Sequence, residues 1–188
     1  MSTSAHAIFV VGVSASGKST LGRSLARELG WTMLDLDTMT NPLFEAVGGE
    51  AKMLSSDAQA RRTTINSVRY ECLFATAAEN LGVGNSVVLV APFTSERLDE
   101  TVWRQRLSQL GLAGDSATLV WVDTPRNIVL QRIRARRASR DLAWLDSGVG
   151  LAPVDAFGPP VVDHMRIDGT ITGREQLEAF RESFAITG

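Results

Sequence analysis

Eight residues near the start of the chain, Gly12-Val13-Ser14-Ala15-Ser16-Gly17-Lys18-Ser19, have the types and spacing to hold a polyphosphate. The pattern is glycine, four residues, glycine-lysine and a hydroxyl residue. Two glycines let the backbone wrap until its N–H groups converge on an anion. A helix opening near Lys18 would add the positive end of its dipole. The Lys18 ammonium would then reach the β- and γ-phosphates of a nucleoside triphosphate, and the Ser19 hydroxyl would ligate Mg²⁺. Gly12, Ala15, Ser16, Gly17, Lys18, Ser19 and Thr20 are thus the expected seat of ATP, with GTP left open.

Two carboxylates follow at Asp35 and Asp37, and five guanidinium groups crowd positions 132 to 140. If Asp35 and Asp37 close a strand, their i, i+2 spacing sends both into one crevice. One would hold Mg²⁺ through water, and the other would accept a proton from a substrate hydroxyl. The residue types leave open which does which. Of the later cluster, Arg132, Arg137 and Arg140 are candidates to stabilise charge on a transferring phosphoryl group. Arg134 and Arg136 read as a solvated helix face. Arg61, Arg62 and Arg97, near predicted helix starts, are weaker candidates for the acceptor site that read more readily as surface residues than as ligands, and His6 and His164 have no partners for a metal site or a triad.

The elements that must position these residues alternate along the chain. Ala7 to Val11 is an apolar run ending at Gly12, the mark of a buried parallel strand. Leu21, Leu25 and Leu29 make one stripe of a helix that Gly30 stops. A second strand is expected over Trp31 to Leu36, then an irregular stretch from Asn41 to Ser56 around Pro42 and Gly48-Gly49. A long helix is predicted from about Asp57 to Leu81, with Ile65, Val68, Cys72 and Ala75 on one face and Leu73 and Ala77 beside them. Strands are predicted at Ser86 to Ala91, Ala117 to Val122 and Met165 to Ile167, and the four tryptophans are expected in core or lid packing. Ser95 is the expected cap of a helix reaching Leu110, Pro125 opens another that turns Ile128, Val129 and Ile133 inward, and residues 147 to 163 read as a loop. Thr172 and Glu175 form a capping-box pattern for a last helix. Such alternation means an α/β fold: a five-stranded parallel sheet with helices on both faces.

The loop and the acid pair together resemble the shikimate and gluconate kinase group within the nucleoside-monophosphate-kinase-like P-loop kinases. GVSASGKST is close to the loop of gluconate kinases, and phosphotransferases of the chloramphenicol type share the plan. The resemblance implies one three-layer domain over residues 1–188, with an acceptor-binding excursion at about 38–70 and a lid at about 134–150. By it, Asp35 is the metal- and hydroxyl-side acid and Asp37 grips the acceptor. By it also, Arg132 packs on adenine, the Asp168-Gly169-Thr170 turn contacts adenine, and lid arginines meet the phosphoryl group. Ala91-Pro92-Phe93 stands where shikimate kinases have a glycine-rich turn, and the histidines of gluconate kinases are missing near the second strand, so neither acceptor is expected.

Composition narrows the alternatives. The chain has 188 residues, 44% of them hydrophobic, and a net charge of -2, which argues against long nucleic acid or a membrane surface as partner. One cysteine, Cys72, allows no internal disulfide, and no targeting segment is recognised, so a reducing cytoplasm is the expected setting. The expected activity is transfer of the γ-phosphoryl of Mg·ATP to a hydroxyl of a small molecule. A nucleoside or nucleotide kinase and an antibiotic phosphotransferase are alternatives within that class. An NTP-driven switch acting on a protein partner is the alternative outside it, although no N-K-x-D motif is present. Oligomeric state is not encoded in any pattern we read.

Overall fold

The structure, a computed structural model, describes residues 5–46, 58–136 and 157–187. Its core is a sheet of β1 (Ala7–Val11), β2 (Thr32–Asp35), β3 (Val87–Val90), β4 (Ala117–Asp123) and β5 (Met165–Asp168), in the order β2-β3-β1-β4-β5. Every pairing is parallel, with Val10 opposite Val90, Val11 opposite Trp121 and Asp123 opposite Asp168. The carboxyl ends of all five strands therefore share one edge, where open parallel sheets bind ligands.

Strand alternation divides the core in two. Phe9, Val11, Leu34, Leu89, Leu119 and Trp121 pack on one side with Leu73, Phe74, Ala77 and Leu107. Ile8, Val10, Val88, Val90, Val120, Val122 and Ile167 pack on the other with Leu21, Leu25 and Phe180. Burial on both faces is why the central strands β1 and β3 are apolar throughout, and each fully buried Leu or Phe contributes about 2 kcal/mol. Helix α1 (Lys18–Leu29) buries the predicted Leu21–Leu25 stripe and ends at Gly30, whose N–H donates to Ala26 O. Trp121 is buried, and Trp103 meets Phe9 edge-on at 4.8 Å.

Several sequence expectations are corrected. The second strand stops at Asp35, and helix α2 (Leu36–Ala46) takes up Leu36 from the expected strand and 41–46 from the stretch expected to be irregular, with Pro42 inside it. Helix α3 (Ala58–Gly82) turns Leu73, Phe74, Ala77 and Leu81 inward, whereas Val68 and Cys72 are exposed. Two overlapping i, i+4 series run through this helix, and the one with the larger side chains wins the sheet. The helix expected from Ser95 is two: α4 (Thr94–Leu98) and α5 (Glu100–Gln109). Between them the Asp99 carboxylate caps α5 by accepting from Thr101 N–H and Val102 N–H. Helix α6 (Arg126–Arg136) buries Val129 and Ile133, while Ile128 stays half-buried. The final helix, α7 (Gly173–Thr187), begins at the predicted capping box: the Glu175 carboxylate accepts from the Thr172 N–H and hydroxyl, both at 2.8 Å. Arg137, Arg140, Trp144 and the rest of 137–156 lie outside the described residues, as do 47–57.

Candidate active site

Between β1 and α1 the loop adopts the conformations a nest requires. Gly12 and Gly17 have φ of 144° and 111°, and Ala15 is also left-handed at 60°. At Gly12 a Cβ would stand 2.9 Å from both Ser16 Oγ and Val122 O, so only glycine fits. Ser16 N–H closes the turn on Val13 O at 3.2 Å, and Gly17 O receives the first helical N–H groups, from Thr20 and Leu21. The Lys18 ammonium arches back over the loop and donates to Val13 O at 2.8 Å. Ser16 Oγ is buried and has no hydrogen-bond partner.

Ser19 donates its hydroxyl to Asp35 Oδ2 at 2.7 Å, tying the first turn of α1 to the end of β2. Asp35 is 7% exposed, and its other oxygen accepts from Thr38 N–H at 3.0 Å. These residues fit a Mg²⁺–triphosphate. A hydroxyl and a carboxylate side by side offer the hard oxygens that cation takes, and the orphaned Ser16 hydroxyl lies within a cradle of backbone donors.

Asp37 does not share a strand face with Asp35, because the chain turns into α2 at Leu36. Its Oδ1 pairs with Arg69 Nη2 at 2.6 Å, and its side chain is 57% exposed. Arg69, on α3, is the hub of this side: it also donates to Thr40 Oγ1 at 2.7 Å and to Asn41 Oδ1 at 2.8 Å. The sequence reading passed over Arg69. Its signal was present in Asp37, Thr40 and Asn41, a polar stripe at i, i+3, i+4 that exists only if the segment is helical.

Beneath this cluster, Tyr70 accepts from Phe93 N–H at 3.0 Å, and burial pushes its phenol well above the ordinary range. Phe93 has φ 45°, a strained value for a residue with a side chain. The strain aims its ring into the core, 5.3 Å from Phe9 and 5.8 Å from Tyr70. Arg97, expected at the surface, is 1% exposed and donates to Gly158 O at 2.9 Å. Burial lowers its pKa from the usual arginine value. Its role is to hold the 157–163 segment on α4, where Val161 N–H also reaches Arg97 O.

Arg132 reaches the loop, where its nitrogens are engaged with backbone. Nη1 donates to Ser16 O at 2.9 Å and Ala15 O at 3.3 Å, and Nη2 donates to Gly169 O at 2.7 Å. The Asp168-Gly169-Thr170 turn thus abuts the loop. The Thr170 hydroxyl and N–H hold the Asp168 carboxyl below the usual carboxylate range. Arg134 is exposed, in keeping with a solvated position. No helix among the described residues is long and apolar enough to cross a membrane.

Comparison with known proteins agrees with this geometry. A family model described as an AAA domain matches residues 8–150. A shikimate kinase from Moorella thermoacetica is 30% identical over 131 residues, spanning 64% of this chain and 72% of the relative. A solved structure of a candidate kinase from Chloroflexus aurantiacus j-10-fl superposes with a TM-score of 0.67, at 20% identity over 98% of each chain. A shikimate kinase from Bacteroides thetaiotaomicron superposes at 0.62, with 12% identity, over 96% of this chain and 98% of the other. The last two share the fold.

Proposed function

The chain belongs to the AAA-domain family of P-loop proteins with kinases among its relatives, and on that premise we propose that it transfers the γ-phosphoryl of Mg·ATP to a hydroxyl of a small molecule. The observation that carries this reading is the division of labour between the two acids. Asp35 is buried against Ser19, where a metal-side carboxylate belongs, and Asp37 stands exposed at the start of α2, paired with Arg69. Bound Mg²⁺ would neutralise the phosphate oxygens and orient them for in-line transfer. Ser19 and Asp35 would hold it.

Lys18 would exchange Val13 O for phosphate oxygens and follow the charge that develops on them. The N–H groups of Ala15, Gly17, Lys18 and Ser19 would grip the β-phosphate side. Asp37 would orient the attacking hydroxyl and take its proton, and Arg69 would fix the carboxylate's direction. Arg137 and Arg140 would supply charge to the phosphoryl group, and Arg132 would flank the adenine. The acceptor would be gathered by α2, α3 and the 92–98 segment.

The test couples ADP release to panels of sugars, nucleosides, amino alcohols and antibiotics, with Lys18→Ala as the blank. A small molecule that raises ADP release above the acceptor-free rate, in wild type alone, supports the proposal. Steady hydrolysis that no small molecule stimulates, but a protein does, would point to a switch instead.

A further inference from the structure

The Ser16 carbonyl carries two hydrogen bonds from groups that the loop pattern does not announce. Thr124, just beyond β4 and 3% exposed, donates its hydroxyl to Ser16 O at 2.8 Å. Arg132 donates Nη1 to the same oxygen at 2.9 Å. A peptide unit is planar and trans, so its C=O and N–H point in opposite directions. Holding the Ser16 oxygen toward Thr124 and Arg132 therefore aims Gly17 N–H away from them, to the side on which the nest opens.

The turn after β5 closes the same bracket. Gly169 N–H donates to Asp123 O at 2.7 Å, and Gly169 O accepts from Arg132 Nη2 at 2.7 Å. A Cβ at Gly169 would fall 1.7 Å from Thr124 Oγ1 and 2.8 Å from Ser16 O, so the turn lies directly against the bonded pair. Gln176, 2% exposed, secures the turn from the other side through Asp168 O at 3.2 Å.

We propose that Thr124 is a positioning residue for phosphate binding, which rests on the nucleotide-binding reading above. It acts through the Ser16–Gly17 peptide and touches no ligand itself. The turn at 168–171 is then part of the phosphate grip as well as a wall beside the base. Removing the Thr124 hydroxyl leaves Ser16 O to Arg132 alone and frees the peptide to rotate. Phosphate affinity falls while the base side is unchanged.

Thr124→Val keeps the shape and deletes the donor, and Thr124→Ser restores the donor. Titration calorimetry with Mg²⁺-tripolyphosphate, and separately with adenosine, reads the two sides independently. Thr124→Val is expected to weaken tripolyphosphate about five-fold, with adenosine binding unchanged and a Tm about 2–4 °C lower from loss of the buried hydrogen bond. Thr124→Ser is expected to bind both probes as wild type does. Equal tripolyphosphate affinity in wild type and Thr124→Val overturns the proposal, as does a proportional loss of both probes, which reports damage to the fold. Wild-type protein that binds neither probe overturns the nucleotide reading too, so the two failures are told apart.

Discussion

On the phosphate side the contacts are made largely to backbone: Ser16 O, Ala15 O, Gly169 O and Val13 O accept, and buried Thr124 and half-buried Arg132 and Lys18 donate. On the Asp37 side they run between side chains of two helices: Asp37, Thr40 and Asn41 of α2 with Arg69 of α3. Backbone nests depend on φ values and glycine positions, so they tolerate few alternatives and recur wherever a polyphosphate is bound. Side-chain clusters can be rebuilt residue by residue. A chain can therefore keep its phosphate donor and change what receives the phosphoryl group by altering one side only.

Four measurements would break or sharpen that contrast. Lys18→Ala removes the charge that meets the transferring group and is expected to lower kcat by about 10³-fold, the largest effect. Near-normal turnover would dissolve the assignment of the loop. Asp37→Asn keeps size and most hydrogen bonding but removes the base, and kcat is expected to fall about 10²-fold with Mg·ATP affinity kept. Should nucleotide affinity fall in step with the rate, Asp37 would belong to the phosphate side instead.

Arg69→Lys retains the charge but cannot serve Asp37, Thr40 and Asn41 together. We expect about a ten-fold loss in kcat, again with nucleotide binding intact. A variant with wild-type turnover would show that the cluster only joins α2 to α3. The smallest effect is expected at Glu175. Hydrogen bonds from the Thr172 N–H and hydroxyl hold its carboxyl below the ordinary value of 4.5, so the ionised form is favoured in the fold. Its contribution is complete above pH about 4.5 and fades as the pH falls further. The Tm gap between wild type and Glu175→Gln should narrow on acidification below that point. A gap that stays constant to pH 3 would mean the capping box does not act through its charge.

How much could be read beforehand follows the same division. The central strands were legible because burial on both faces leaves β1 and β3 with no polar residue, and β1 coincides with the expected Ala7–Val11 run. The capping box at Thr172 was legible because both partners sit three residues apart. The α2 segment was misread because Pro42 and the nearby glycines outweighed a polar stripe whose partner, Arg69, lies 32 residues beyond Asp37. The α3 face was misjudged because its apolar residues fit two stripes, and only the sheet selects between them.

The order of residues alone determined the nest and its lysine, since the spacing of Gly12, Gly17 and Lys18 leaves the backbone few other ways to turn. It also determined the central strands β1 and β3, since each is a short run of apolar residues alone. Tertiary structure alone decided that Asp35 turns to Ser19 while Asp37 turns to Arg69, and that Thr124 and Gly169 stand against Ser16 O. Local spacing constrains neighbours through φ, ψ and side-chain direction. Contacts across 32 or 108 positions depend on which faces of separate elements pack together, and no local pattern carries that information.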